Sequence, residues 1–505
     1  MNATNKTNED RQPSRKIVPI YIALLPAAVL IVLLSLNVYI FGDDAVSGSN
    51  QIILMLCGAF CACLALFHGV TWKALELSIA QSIRLVSPAV IILLMVGALS
   101  GTWLVSGVIP TMIYYGLYVL SPDFFLVSAC IICIVVSIFT GSSWTTSATI
   151  GIAMMGIGSV LGVNPAYTAG AILSGAYFGD KISPLSDTTN LASATAGVDL
   201  FTHIRYMMIT TVPSILIALI LFTVIGFFSG ESTAITNKAE IQGALRGALN
   251  ISPWLLLVPA AVLAMILKKI PAIPATFFGA LLGAAFALIF QRDLVRGLGD
   301  GGDHSLYVGL MRAAYSDTSV ATGNAVMDEL LSAGGMGGML GTVWLIVAAM
   351  VFGGIMEGSG FLARITQTLI SKAKSIFGLV SATVGTCIFT NVSASDQYLA
   401  VVVPGRMFSS AFKQQGLAPQ NLSRTVEDSG TVTSVLIPWN TCGAYHATVL
   451  GVATLQYLPF VFFCLLSPVM TLLVAAFRYK IARLNDSETQ RRTDVREAAN
   501  HAKPA

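Results

Sequence analysis

Five acidic side chains stand in stretches otherwise apolar enough to enter a membrane: Asp180, Asp187, Asp396, Glu427 and Asp428. An ionisable residue at the centre of a membrane helix costs roughly 2.5–3.5 kcal/mol on insertion scales, so together these acids would cost more than about 10 kcal/mol facing lipid. They must face a protein interior or a wet cavity. Around them lie Ser183, Thr188, Asn190, Asn391, Ser395 and Asn440, with the helix breakers Pro184, Pro438, Gly175 and Gly430. Proline removes a backbone donor and interrupts a helix, which frees carbonyls. Carboxylates, hydroxyls and free carbonyls are the oxygen ligands a hard cation needs. Desolvation and a second carboxylate both favour the protonated form of such an acid. It can then hold a proton or a cation but not both, and exchange of one for the other is the chemistry this pattern suggests.

The candidates differ in role. Asp187, with Thr188 and Asn190, reads as the main cation-ligand group. Asp180 reads either as a second ligand or as a structural ion pair with Lys181. Asp396, after Asn391, Ser393 and Ser395, reads as a hairpin tip or unwound stretch that carries ligands, so a cation is expected near Asp187 and Asp396. Glu427 and Asp428 are adjacent and point about 100° apart on a helix. One of them should face the site; Asp428 is the expected one, with Glu427 pairing to Arg424 or Arg406. Asn440 is either a ligand or a helix cap. Asp199 reads as an N-cap, and His203 and Glu357 as interfacial residues. His446 reads equally as a proton relay or a packed histidine.

Composition fixes the setting. The chain has 505 residues, 55% hydrophobic and 10% charged, where a soluble protein carries about 25% charged residues. So few charges cannot cover a water-facing surface, and lipid must cover most of this one. A net charge of +3 gives no reason to expect a nucleic-acid partner. Cys57, Cys61 and Cys63 lie in an apolar run and read as small hydrophobes. A span needs about 20 apolar residues. Counting complete and interrupted runs leniently gives an all-α polytopic membrane protein with about 10–13 membrane segments.

The chain divides into a leader 1–16, a first half 17–290, a polar connector 291–340, a second half 341–477 and a tail 478–505. Leader and tail are basic and the first loop carries Asp43 and Asp44 without a base, which predicts cytoplasmic termini. Segment 71–87, with Lys73, Glu76 and Arg84, reads as an interfacial stretch. The chemistry-bearing residues fall in 139–193 of the first half and 389–446 of the second. The first region contains FTGSSWTTSATIG (139–151) and LSGAYFGDKISPLSDTTNLAS (173–193). The second contains FTNVSASDQYLAVVVPG (389–405) and TVEDSGTVTSVLIPWNTCGAYH (425–446). Each opens on Phe-Thr, passes through serines and a Ser-Gly, and reaches a Pro followed by Asp or Asn. That order suggests an internal duplication, and paired broken helices in two related halves point to a transporter site.

The motifs GDKISPLSDTTNLAS (179–193), AGVDLFTHIRY (196–206), DQYLAVVVPGRMF (396–408) and EDSGTVTSVLIPWN (427–440) resemble those of the NhaC family of Na+/H+ antiporters. The resemblance runs from about the second span to the last. It implies a secondary active transporter of the cell membrane that exchanges Na+, with Li+ as a further candidate, for H+. The implied fold has two inverted repeats with broken helices and re-entrant hairpins, as a scaffold plus an elevator-type transport domain. A homodimer is implied as well, with no cofactor beyond the transported ions. The family also contains exchangers coupling malate and lactate to Na+ and H+, for which Lys181, Arg406 and helix N-termini could bind carboxylates. An ion channel is the rival from another class, but no short repeated filter is present. No HExxH, GxSxG or P-loop pattern supports an enzyme.

Overall fold

The computed structural model describes residues 18–229, 238–268, 270–323, 328 and 331–484. The leader and the distal part of the tail, on which the orientation expectation rests, lie outside the described residues. In chain order the helices are α1 (Ile20–Phe41), α2 (Ser49–Phe67), α3 (Trp72–Val105), α4 (Val108–Val119), α5 (Pro122–Thr140), α6 (Ser143–Thr146), α7 (Ile152–Val160), α8 (Pro165–Ile182), α9 (Asp187–Ala196), α10 (Leu200–Ser229), α11 (Lys238–Ala248), α12 (Leu257–Leu267) and α13 (Ala272–Phe290). There follow α14 (Arg292–Leu298), α15 (Ser305–Tyr315), α16 (Leu340–Gly358), α17 (Phe361–Lys372), α18 (Ile376–Ser393), α19 (Gln397–Gln414), α20 (Pro419–Val426), α21 (Thr441–Leu450) and α22 (Phe462–Ala476).

Among the described residues eight helices are long and apolar enough to cross a membrane, and ten spans result if two sharply bent helix pairs each count as one. The protein is a multi-pass membrane protein. Only 28% of the apolar window of α1 is buried within the protein; Tyr21, Val32 and Tyr39 face outward, as apolar side chains of a membrane span do. Segment 71–87 is not a separate interfacial piece. It is the first half of α3, whose 34 residues reach about 51 Å at 1.5 Å per residue. That exceeds a hydrocarbon core of about 30 Å, so the end bearing Lys73 and Glu76 can leave the apolar layer without breaking the helix. The GxxxG face of α13 does what such faces do in membranes: it lets α3 approach until the indole Nε1 of Trp103 donates to the Gly279 carbonyl at 3.0 Å.

The polar connector folds. Helices α14 and α15 place Val295 and Ala313 against Val105 and Ala287, and Thr318–Ser319 pairs antiparallel with Ser332–Ala333. Arg312 holds Asp300 at 2.7 Å and donates to the Leu298 carbonyl. The hydrogen bond from Arg312 to Asp300 and the guanidinium charge keep the Asp300 carboxyl below the usual carboxylate range.

The two interrupted regions have matching construction. Helix α5 stops at Gly141, whose φ of +65° is left-handed, and α6 starts after Ser142. Helix α8 stops before Pro184, and α9 starts after Ser186. In the second half α18 stops at a left-handed Ser395, φ +58°, and α19 starts after Asp396. A π turn Glu427–Thr431 and a 3-10 turn Ser434–Leu436 then lead past Pro438 to α21, which starts after Asn440. All four new helices carry a polar N-cap. Ser142 Oγ accepts from Thr145 N at 3.2 Å, Ser186 Oγ from Thr189 N at 3.4 Å, Asp396 Oδ1 from Leu399 N at 2.9 Å and Asn440 Oδ1 from Cys442 N at 3.0 Å. Each cap satisfies a donor that the break would orphan.

Candidate functional site

Within each half the two breaks are tied together. Asp180 accepts from the backbone N–H of Ser143 at 3.1 Å, the Ser143 hydroxyl at 2.8 Å and the Ser186 hydroxyl at 2.6 Å, and so joins the starts of α6 and α9. Ser183 Oγ donates to the Ile138 carbonyl of α5 at 2.8 Å. In the second half Asn440 Nδ2 donates to the backbone and side-chain oxygens of Asn391, both at 3.1 Å. The Thr441 N–H donates to the Ser395 carbonyl at 3.0 Å. Across the halves Trp144 stacks on Tyr445 with ring centroids 3.9 Å apart, and the Tyr445 hydroxyl donates to the Trp144 carbonyl.

Between these knots and helix α3 lies a cavity of about 1020 Å³. Four carboxylates line it: Asp180, Asp187, Glu357 and Asp396. Asp187 opens α9, is exposed to the cavity, and has no hydrogen-bond or ion-pair partner among the described residues. Asp396 is almost wholly buried, but its position at the start of α19 puts it in the cavity wall. Thr188, Tyr398, Thr441 and Arg406 are among the polar residues of its wall. Arg406 forms no ion pair within 4.0 Å among the described residues, so the Arg406–Glu427 pair is absent. The donors are overwhelmingly hard oxygens, the set that suits an alkali cation.

Other predicted residues stand elsewhere. Asp428 is not in the cavity wall; it forms an ion pair with Lys181, both fully buried, and accepts from Thr471. Lys181 therefore pairs with Asp428 and not with Asp180. The reason is angular: neighbours on a helix diverge by about 100°, so Asp180 turns to the cavity and Lys181 inward, where it also donates to Ser467 at 2.9 Å. Glu427 is fully buried and pairs with neither Arg424 nor Arg406; Arg424 instead lies over the Tyr206 ring at 4.7 Å. Asn190 turns its amide back to the carbonyls of Pro184 and Ser186 at 3.0 and 2.7 Å. Asn391 donates to the Gly430 carbonyl at 2.7 Å. Gly175 breaks no helix. It sits inside α8 where a Cβ would lie 2.3 Å from the Cys130 carbonyl of α5, and so permits a close helix contact. Gly430 does lie in a break, within the π turn. Asp199 caps α10 by accepting from Thr202 N at 3.0 Å. His203 is not interfacial: it is fully buried, with Nδ1 at 2.8 Å from Ser423 Oγ. His446 is packed among Trp144, Tyr177 and Tyr445.

Glu357 was read as an interfacial residue and belongs to the cavity wall. Its one signal was being the sole acid of an apolar run. Ser143 and Ser186, which hold Asp180, were visible only as members of Ser-rich breaks.

The profile of the Na+/H+ antiporter family matches residues 175–478. The chain is 40% identical to a Na+/H+ antiporter NhaC of Alkalihalophilus pseudofirmus, over 84% of this chain and 89% of that protein. It is 35% identical to a Na+/H+ antiporter NhaC of Bacillus subtilis, over 84% and 91%. It is 37% identical to a malate-2H+/Na+-lactate antiporter of Bacillus subtilis, over 81% and 85%.

Proposed function

Because the chain belongs to the Na+/H+ antiporter family, among its NhaC members, we propose that it exchanges Na+ for H+ across the cell membrane. The observation that carries this reading is the cavity in which Asp180, Asp187, Glu357 and Asp396 meet at helix breaks beside a single arginine. Asp187 and Asp396 hold the cation, with Thr188 as a neutral oxygen donor. Asp180, already saturated by three donors, fixes the geometry of the first break. A proton and a cation compete for the same carboxylates, so loading one displaces the other. Linkage then makes the apparent KM for Na+ rise as pH falls, by up to about tenfold per pH unit when one proton competes with one ion.

The same reading has both termini cytoplasmic, a homodimer, and a transport domain containing the two knots that moves against a scaffold. Na+ and H+ are substrates, and no cofactor takes part. A second reading draws on Arg406 and on the cavity's size, far beyond a bare ion. These fit the carboxylate of a small organic acid, as the name of the malate-2H+/Na+-lactate relative suggests for that protein.

Proteoliposomes with a proton-sensitive dye decide between them. After acidification of the lumen, NaCl, LiCl, KCl, malate and lactate are added in turn, for wild type and Asp187→Asn. Dequenching by Na+ or Li+ alone, abolished in the variant, is expected. A signal that requires malate or lactate replaces Na+/H+ exchange with the organic-acid reading. Exchange that survives Asp187→Asn intact removes Asp187 from the site.

A further inference from the structure

Among the described residues one buried acid beside the cavity has no ion pair and no hydrogen bond within 3.5 Å. Glu427 opens the π turn Glu427–Thr431 and is fully inaccessible, and neither carboxylate oxygen accepts a hydrogen bond. Thr431, at the far end of the same turn, is also fully buried with an unpartnered hydroxyl. Thr188, which lines the cavity, faces the same carboxylate, as does Thr431. The nearest charges leave Glu427 uncompensated. Lys181 lies within electrostatic reach, but its ammonium is committed to Asp428 and Ser467. Asp180 adds a further negative charge, itself saturated by three donors. A buried carboxylate without donors is among the most costly arrangements a protein can hold, and it is relieved by a bound proton or by a bound cation. Single π turns recur at functional sites because they displace backbone groups from helical bonding.

We propose that Glu427, with Thr188 and Thr431, forms an inner site for a dehydrated monovalent metal cation of the Na+ or Li+ class, reached from the cavity past Thr188. The proposal rests on the exchange reading above and adds a second stop behind Asp187 and Asp396. The ligands are hard oxygens, which suit an alkali ion. Asp180 and Glu427 remain negative after Lys181 neutralises Asp428, with the Arg424 guanidinium turned to the Tyr206 ring, which suits a positively charged ligand. The inner position strips the ion of water that the open cavity allows it to keep.

The test uses the full chain in two assays. In proteoliposomes, Glu427→Gln should raise the apparent KM for Na+ at least tenfold, and Thr431→Val should raise it severalfold and change the ratio of Na+ to Li+ affinity. In detergent, NaCl should raise the Tm of wild type above a choline chloride control, and Glu427→Gln should lose most of that rise. Should Glu427→Gln fail to fold, Thr431→Val decides alone. Wild-type KM and Tm response in the folded variants overturns the inner site while leaving exchange intact. So does a Glu427→Gln protein whose pH profile moves at unchanged Na+ KM, since Glu427 would then carry only protons. If wild type shows no exchange at all, the exchange reading fails, and the Tm response remains as the readout. A Na+ effect lost in Glu427→Gln still supports the site, and no Na+ effect in wild type overturns it.

Discussion

Replacing Lys181 by Met removes the cation paired with Asp428 and leaves a fully buried carboxylate whose remaining partner among the described residues is the Thr471 hydroxyl. Breaking a buried pair by deleting one partner costs about 3–5 kcal/mol, and Lys181→Met should lie in that range. Asp428→Asn is the milder deletion. Lys181 would keep Ser467 at 2.9 Å and the Phe463 ring, 5.4 Å from its ammonium. A desolvated cation–π contact offsets up to about 2 kcal/mol, which leaves a loss of about 1–3 kcal/mol. The double variant should lie within about 1 kcal/mol of wild type, since replacing both members of a buried pair is often neutral. The singles then sum to at least about 4 kcal/mol and the double to about 1, a coupling near 3 kcal/mol, at the top of the range for contacting residues. Unfolding by a denaturing detergent titrated into mild micelles, followed by tryptophan fluorescence, measures all four proteins. A double variant as unstable as the sum of the singles would refute the reasoning, because it would show that Lys181 and Asp428 do not compensate each other.

Three further outcomes follow from single contacts. Asp396→Ala should destabilise by about 0.5–2 kcal/mol through loss of the α19 cap, whereas Asp396→Asn keeps an equivalent cap and should lose ion exchange at near wild-type stability in the same two assays. Gly175→Ala puts a Cβ 2.3 Å from the Cys130 carbonyl, a backbone atom that cannot swing aside, and should cost about 1–3 kcal/mol of overpacking in the detergent titration. Asp300 owes its lowered carboxyl to its hydrogen bond with Arg312, so any stability from that pair is present above the unfolded pKa and disappears as pH falls. Because Asp300 is 75% and Arg312 39% exposed, solvent screens the pair, and Asp300→Asn should unfold indistinguishably from wild type at neutral pH.

The apolar runs and the two interrupted regions were legible because insertion energy forces them: a carboxylate among apolar residues must have an inward destination, and proline must end a helix. The positions of Asp180, Asp187 and Asp396 followed from those two constraints. What could not be read was direction. Asp180 and Lys181 are one residue apart, and the phase of the preceding helix, set by the contact of α8 with α5 at Gly175, decides which of them reaches the cavity. The same uncertainty defeated the choice between Glu427 and Asp428, neither of which lines the cavity, because a π turn shifts the phase of the following residues and no sequence rule announces one. Asn391 and Asn440 have the chemistry of ligands, and only the fold shows them committed to each other. Glu357 was misplaced because the end of a span looks the same whether it meets solvent or a cavity.

The duplication can be argued further from what the two halves share and where they differ. Both join a pair of breaks through one polar residue in the last turn of a helix that leads into a break. In the first half that residue is an acid, Asp180, which satisfies serines; in the second it is an amide, Asn391, which meets Asn440. A charged knot and a neutral knot therefore face one cavity, whose carboxylates are divided between Asp180 and Asp187 of the first half and Glu357 and Asp396 of the second. The cross-half ion pair of Lys181 with Asp428 links the two regions beside the charged knot. Exchange at the cavity changes the charge beside that link with each ion or proton loaded. The variants Lys181→Met and Asp428→Asn accordingly probe whether the halves stay registered when the cavity changes its load. If they do not, the double variant will recover stability without recovering the steepness of exchange with pH.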